Sequence, residues 1–382
     1  MSRSSRRGPH RDHPHRRRPR TARRRRDPVT RSATPPPAAL SAVVAPVEDR
    51  LRNLLDEEIT QWASVDPDLA LPLQSLREFV LGGGKRLRPA FCHWAFVGAG
   101  GDPGAMSVVD TGAALELLHA FALIHDDIMD GSDTRRGAST VHTQFSDAHV
   151  EGRWNGEARR FGEGVAILIG DLAEVFADRL MIATTPAAFG AWSQLKIEVN
   201  IGQYLDVLGA ARGGTDLETS RRIAHYKSGK YTIERPLHVG VALVDRLEEF
   251  RDRLSAFGSP LGEAFQLRDD ILGVFGDEDR TGKPVGDDLR EGKPTPMLAV
   301  ARQHATPEQL RRLERVGATD LADDEIRAMQ QDVIDTGARA RIEQDIAELT
   351  DTAIDALDGL DFEPAAIDAL VELARYVSER DL

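Results

Sequence analysis

From Val47 almost to its last residue, this chain spaces its apolar side chains three or four positions apart and hardly ever two apart. That period matches the turn of an α-helix and not the alternation of a half-buried strand, so a sheet-based core is not expected. "VEDRLRNLLDEEITQWA" (Val47–Ala63) shows the pattern, with charged residues on the remaining faces. The same spacing predicts helices over 68–81, 87–99, 107–130, 164–184, 187–209, 216–228, 232–244, 247–275, 295–303, 307–316, 323–335, 337–358 and 363–378. Gly/Pro punctuation such as "LGGGK", "GAGGDPGA" and "ARGGTD" separates them. The expected fold is all-α, one domain over 46–382, with bundle-type helix packing around a common core. Gly276–Lys293 is a long irregular piece among these helices, which marks it as a candidate active-site loop.

Charge is distributed unevenly. The first 31 residues hold thirteen arginines against Asp12 and Asp27; with 49 basic and 62 acidic residues in all, the remainder carries 36 and 60. Residues 1–45 read as a disordered Arg/Pro-rich arm ahead of an acidic body. An acidic body argues against nucleic acid as the main partner and suits a protein that holds divalent cations. The arm has no apolar stretch behind its charges, so a secretory signal is not expected. The single Cys92 leaves no intramolecular disulfide and no thiolate cluster, which makes a reducing cytoplasmic setting the default. No uninterrupted apolar run approaches the length of a membrane span, and none is expected.

Two helix ends stand out. In "ALELLHAFALIHDDIMD", Asp126 and Asp130 are i and i+4, one above the other about 6 Å apart, with His119 on the same face. Two carboxylates one turn apart repel unless a cation bridges them, and hard oxygen donors on a rigid helix suit Mg²⁺ completed by phosphate oxygens. A solvated acidic helix end is the alternative reading. "FQLRDDILGVFGDEDRTGKPVGDDLREGK" repeats the grammar: an apolar helical run closes on Asp269 and Asp270, with Gln266 one turn before Asp269. The repetition suggests two helices facing each other across a cavity.

Cations surround these motifs. "LGGGKRLRP" sets Lys85, Arg86 and Arg88 behind three glycines whose open backbone lets an anion approach. "HYKSGKYTIERP" carries Lys227, Ser228 and Lys230; Arg135 and Arg136 follow the first motif, and Lys283 and Lys293 follow the second. Each alone reads equally well as a surface charge. Together with two acidic motifs they imply a diphosphate substrate bridged by Mg²⁺.

The segments "GGGKRLRP", "HAFALIHDDIMDGSDTRRG", "GQYLDV", "YKSGKYTIERPL" and the second acidic motif, in this order and spacing, resemble the trans-isoprenyl diphosphate synthases (polyprenyl synthetases) over roughly 47–380. The resemblance implies an isoprenoid-synthase-type helical bundle around a central cavity, usually homodimeric. It implies that Asp126 and Asp130, supported by Asp127, bind two Mg²⁺ on an allylic diphosphate, and that Asp269, supported by Asp270, holds a third. Lys85, Arg88, His119 and Arg136 would bind the diphosphate of isopentenyl diphosphate. Arg135, Lys227, Lys283 and Lys293 would hold the allylic diphosphate, while Ser228 and Gln266 would line the reacting centre. Gly273 departs from the pattern, because many relatives have a third aspartate there.

The resemblance also makes Phe121 and Ala122, five and four positions before the first motif, a gauge of product length. One aromatic and one small residue look like a short-chain synthase making geranylgeranyl diphosphate, with farnesyl or longer polyprenyl diphosphates as the alternatives. An ideal helix sets Ala122 on the Asp126 face and turns Phe121 off it. A class I terpene cyclase would share the metal logic without needing "GGGKRLRP", and a non-catalytic regulatory subunit should have lost acidic motifs that this chain keeps.

Overall fold

The computed structural model describes residues 36–135, 137–212, 218, 222–223, 225–276 and 286–379. Among them are fifteen α-helices, a 3-10 turn (Pro67–Leu69), one π-helical segment and a single two-stranded hairpin. Helices α1 (Ala38–Ala63), α2 (Ala70–Leu81), α3 (Leu87–Gly98) and α4 (Met106–Asp130) are followed by strands β1 (Thr134–Arg135) and β2 (Ala138–Ser139). Then come α5 (Val141–Glu151), α6 (Ala158–Met181), α7 (Pro186–Ala211), the π-helical segment His225–Glu234, α8 (Arg235–Ala242) and α9 (Leu247–Phe275). The C-terminal part is α10 (Asp287–Glu291), α11 (Pro296–His304), α12 (Pro307–Leu313), α13 (Asp323–Asp335), α14 (Ala338–Asp355) and α15 (Pro364–Ser378).

Helix α1 begins at Ala38, not at Val47, so it takes in residues that the sequence reading assigns to the arm. Pro46 lies inside the helix and interrupts the readable pattern. Ala39, Leu40 and Val43 are nevertheless buried in the main core. Glu372 of α15 accepts from the Ala38 and Ala39 amides at 3.1 and 2.9 Å, which satisfies donors that a helix start leaves open. The arm up to Pro35 lies outside the described residues.

Two apolar clusters hold the fold. The larger draws on α1–α9, the π-helical segment, α14 and α15; the smaller joins the last turns of α9 to α10–α14. Helix α4 runs through the larger one: Ala113, Ala114, Leu115, Leu117 and Leu118 are fully buried. By length and composition alone α4 would be sufficient to cross a membrane. In this fold it is a buried core helix ending in three aspartates. Pro260 within α9 does not end that helix, which continues to Phe275 and delivers Asp269 and Asp270 near its C-terminal end.

Candidate active site

The glycine loop between α2 and α3 is a tight turn. Gly83 and Gly84 take φ of 111° and 150°, values an L-side chain resists, and so turn the chain tightly. Lys85, Arg88 and His119 line one pocket, floored by Phe79 and Leu123. Arg86 parts company with them. It adopts φ 53° and turns into the protein, where Nη1 donates to Glu116 at 2.5 Å, and Nη2 donates to Glu48 at 3.0 Å and to the Val80 carbonyl at 2.8 Å. It is 4% exposed, so it braces the loop and does not offer charge to a ligand.

Arg88 stays at the pocket. Its guanidinium lies 4.3 Å from the centroid of the Tyr231 ring, and Nη2 donates to Thr232 Oγ1 at 3.0 Å. Arg88 Nε and the Tyr231 hydroxyl are buried with no hydrogen-bond partner among the described residues. Such orphaned groups carry a desolvation cost that an anion in the pocket would relieve at Nε. The His119 ring sits 6.0 Å from that of Tyr231, so the π-helical segment closes the back of the same pocket.

At the end of α4 the three aspartates take separate roles. Asp127 is 1% exposed and meets Arg135 bidentately: Nε donates to Oδ1 and Oδ2 at 2.8 and 3.0 Å, and Nη2 lies 2.7 Å from Oδ1. Burial pushes the Asp127 carboxyl above its ordinary range, while the Arg135 charge pulls against that rise. Arg135 also reaches Asp126, with Nη2 3.7 Å from Oδ2. The hairpin sets this geometry by pairing Arg135 with Ala138 across the turn. Gln203 of α7 donates to Asp126 Oδ1 at 2.8 Å. Asp127, grouped by sequence with the metal-binding residues, is thus the partner of Arg135. Phe121 is half-buried and its ring lies 4.7 Å from that of His125, whose Nε2 is 3.1 Å from the Ile167 carbonyl of α6.

At the end of α9, Asp270 is 3% exposed and accepts from Gln266 Nε2 at 2.9 Å and from Lys293 Nζ at 3.2 Å. Burial raises the Asp270 carboxyl, and the Lys293 charge opposes the rise. Burial alone would lower the Lys293 ammonium, but the Asp270 and Asp288 carboxylates outweigh it and hold its proton more tightly than usual. Lys293 therefore sits in a carboxylate cradle. Asp269, one position earlier on the turn, is half-buried.

Backbone contact ties the π-helical segment to α9. A β-carbon on Gly262 would lie 2.7 Å from Gly229 Cα and 2.9 Å from its carbonyl, so two glycines permit the approach. Lys227 and Ser228 lie just before this contact in the chain, but their side chains are outside the described structure, as are residues Arg136 and Lys283.

Gln203, Tyr231 and Asp288 belong to this region and were not singled out from sequence. All three lie within "GQYLDV", "YKSGKYTIERPL" and the second acidic motif, which is the signal that could have found them. Among the described residues no group of three or more His, Cys, Asp or Glu side chains gathers into a metal cage. The donors at the two helix ends are carboxylates, hard oxygen ligands of the kind Mg²⁺ takes together with waters and phosphate oxygens.

The chain matches the family model described as polyprenyl synthetase over residues 71–333, and it belongs to that family. It is similar to geranylfarnesyl diphosphate synthase of Aeropyrum pernix, 31% identical over 75% of this chain and 86% of the relative. It is also similar to octaprenyl diphosphate synthase of Escherichia coli, 31% identical over 79% and 88%. A crystal structure of geranylgeranyl pyrophosphate synthase from Corynebacterium glutamicum, complexed with isoprenyl diphosphate and magnesium, superposes with a TM-score of 0.82. That protein is 37% identical and the match covers 88% of this chain and 98% of that one. The chain is an enzyme, a trans-prenyltransferase of the all-α prenyl diphosphate synthase fold.

Proposed function

We propose that this enzyme condenses isopentenyl diphosphate head-to-tail (1'-4) with an allylic diphosphate, and that its main product is geranylgeranyl diphosphate. The observation that carries the reading is the pocket lined by Lys85, Arg88 and His119, whose lining residues include none of the aspartates at the ends of α4 and α9. Two separate anion-seeking regions fit two diphosphate substrates. Asp126, Asp130 and Asp269 would hold Mg²⁺, three ions with Asp127 and Asp270 in support. When bound, Mg²⁺ neutralises the leaving diphosphate and favours ionisation of the allylic C–O bond.

The protein's own residues do the rest. Arg135, fixed by Asp127, and Lys293, fixed by Asp270, keep positive charge where the diphosphate departs. Lys227 and Lys283 are assigned to the same anion by resemblance. Lys85, Arg88, His119 and Arg136 hold the isopentenyl diphosphate so that its double bond attacks the allylic carbon. A proton then leaves the condensed product, taken up by the released diphosphate, while Ser228 and Gln266 line that centre. Apolar walls along α4 keep water from the cation. Phe121 supports a short-chain product as the aromatic member of the pair before the first motif, its ring packed 4.7 Å from that of His125 on the same helix.

The working unit we infer is a homodimer. Leu168 and Val175 on α6 and Ile182 just after it are 63%, 60% and 78% exposed, and Ile197, Ile201 and Tyr204 on α7 extend the apolar face. A second copy, as the resemblance implies, is the occupant that suits it. The buried Cys92 thiol fits a cytoplasmic setting. Incubating pure protein with Mg²⁺, isopentenyl diphosphate and each allylic starter, then sizing the chains, tests the reading. A twenty-carbon product is expected; fifteen-carbon or longer chains would replace the product assignment, and no dependence on isopentenyl diphosphate would overturn the reaction.

A further inference from the structure

The two acidic helix ends differ in one respect. On α4, Asp126 and Asp130 stand one turn apart; on α9, the position one turn beyond Asp269 is Gly273. The structure fills that position from another element. A β-carbon built on Gly273 would collide with Cγ and Oδ2 of Asp288 and lie 2.6 Å from its Oδ1. The Asp288 carboxylate therefore occupies the space that a side chain at 273 would enter. Positions 269 and 273 are i and i+4 on one helix face, so the carboxylate of Asp288 comes to the face that bears Asp269.

This placement is built. Asp288 is 5% exposed, and the next residue of α10, Leu289, is fully buried in the smaller core and anchors the short helix. Lys293 Nζ lies 3.5 Å from Asp288 Oδ2 and 3.2 Å from Asp270 Oδ1, so the same carboxylate helps aim a cation assigned to the allylic diphosphate. A carboxylate pressed on a glycine backbone, beside one ammonium already shared with Asp270, keeps acceptor capacity for a further cation.

We propose that Asp288 supplies, from α10, the second carboxylate that the α9 motif lacks, so that Asp269 and Asp288 together play the part on α9 that Asp126 and Asp130 play on α4. This rests on the magnesium–diphosphate reading above. Gly273 is then the opening through which that carboxylate reaches the face, and Gly273→Asp in the natural background would crowd the site and not repair it.

The test compares wild type, Asp288→Asn, Asp288→Ala, Gly273→Asp, the double variant Gly273→Asp/Asp288→Ala, and Asp269→Ala. Titration calorimetry measures the Mg²⁺ concentration that half-saturates binding of inorganic pyrophosphate, and steady-state assays give KM for each diphosphate. Asp288→Asn, which keeps size and shape, is expected to raise the Mg²⁺ requirement tenfold or more with little change in KM for isopentenyl diphosphate. Gly273→Asp alone is expected to impair binding, and the double variant to recover it to within about threefold of wild type. An unchanged Mg²⁺ requirement in Asp288→Asn overturns the proposal, as does a folded double variant no better than Asp288→Ala. If Asp288→Ala or the double variant does not fold, the Asp288→Asn titration decides alone. Loss in Asp269→Ala with none in Asp288→Asn refutes the part given to Asp288 and leaves the magnesium reading standing; no loss in either refutes that reading.

Discussion

Neighbouring residues of one acidic run can be held to different tasks by what buries them. Asp127 is enclosed and pins Arg135 through two oxygens, whereas Asp126 accepts from Gln203 and Asp130 is exposed at the helix end. Asp127→Asn should therefore act through Arg135: KM for the allylic diphosphate is expected to rise about tenfold, the worth of one charge-assisted bond, with KM for isopentenyl diphosphate nearly constant. Equal rises in both would show that the pair does not serve one substrate. Phe121→Ala, which removes the ring packed on His125, is expected to lengthen the product; chain sizing with an unchanged distribution would take Phe121 out of that role. Residues of this kind are unevenly legible from sequence. Asp126, Asp130 and Asp269 announce themselves by spacing on their own helices. Gln203, Tyr231 and Asp288 reach the site by tertiary packing from other elements, and local pattern holds no record of that.

The elements were legible in proportion to their own periodicity. Helices α2, α3, α4, α9, α13 and α15 fall within two residues of the expected bounds because a continuous apolar stripe defines each. Helix α5 was missed, for "VHTQFSDAHVE" is rich in His, Thr, Ser and Asp, and packing of Val141, His142 and His149 stabilises it instead. Helix α10 spans five residues, too short to read from sequence. The expected break between 228 and 232 is instead one π-helical segment running into α8. Its approach to α9 depends on the Gly229–Gly262 contact. Gly262→Ala should force the two backbones apart, costing about 1–3 kcal/mol as overpacking does, and should lower kcat more than it weakens isopentenyl diphosphate binding. Urea denaturation together with steady-state kinetics checks both; unaltered stability would mean that the contact yields without strain.

For the whole molecule, pH and assembly are the natural probes. His238 is 1% exposed behind the site, with Arg235 Nη1 donating to its Nδ1 at 2.9 Å and its own Nε2–H donating to the Arg251 carbonyl at 3.2 Å. Burial, reinforced by Arg235, holds the imidazole down to about 4, below its ordinary 6.5. A depressed histidine contributes stability that is present above 6.5 and is lost as pH falls towards 4. That loss should be on the order of 3 kcal/mol, and His238→Gln should flatten the decline of the urea midpoint over this window; an equally steep decline would assign it to other groups. Leu168→Asp, on the exposed α6 stripe, is expected to shift sedimentation from dimer to monomer, while a wild-type monomer would remove the dimer from the scheme.

Helix α4 is at once the beam of the larger core and the mount for the first acidic motif. Its upper turns, packed on every side, tolerate little change without unfolding the protein. Freedom to vary chemistry is greater in its last turns, where Phe121, Ala122 and His125 are half-buried and lie outside the deepest core. Diversification of product length within this architecture should thus proceed through a narrow corridor of a few side chains, with the rest of the helix held nearly constant by the demands of folding.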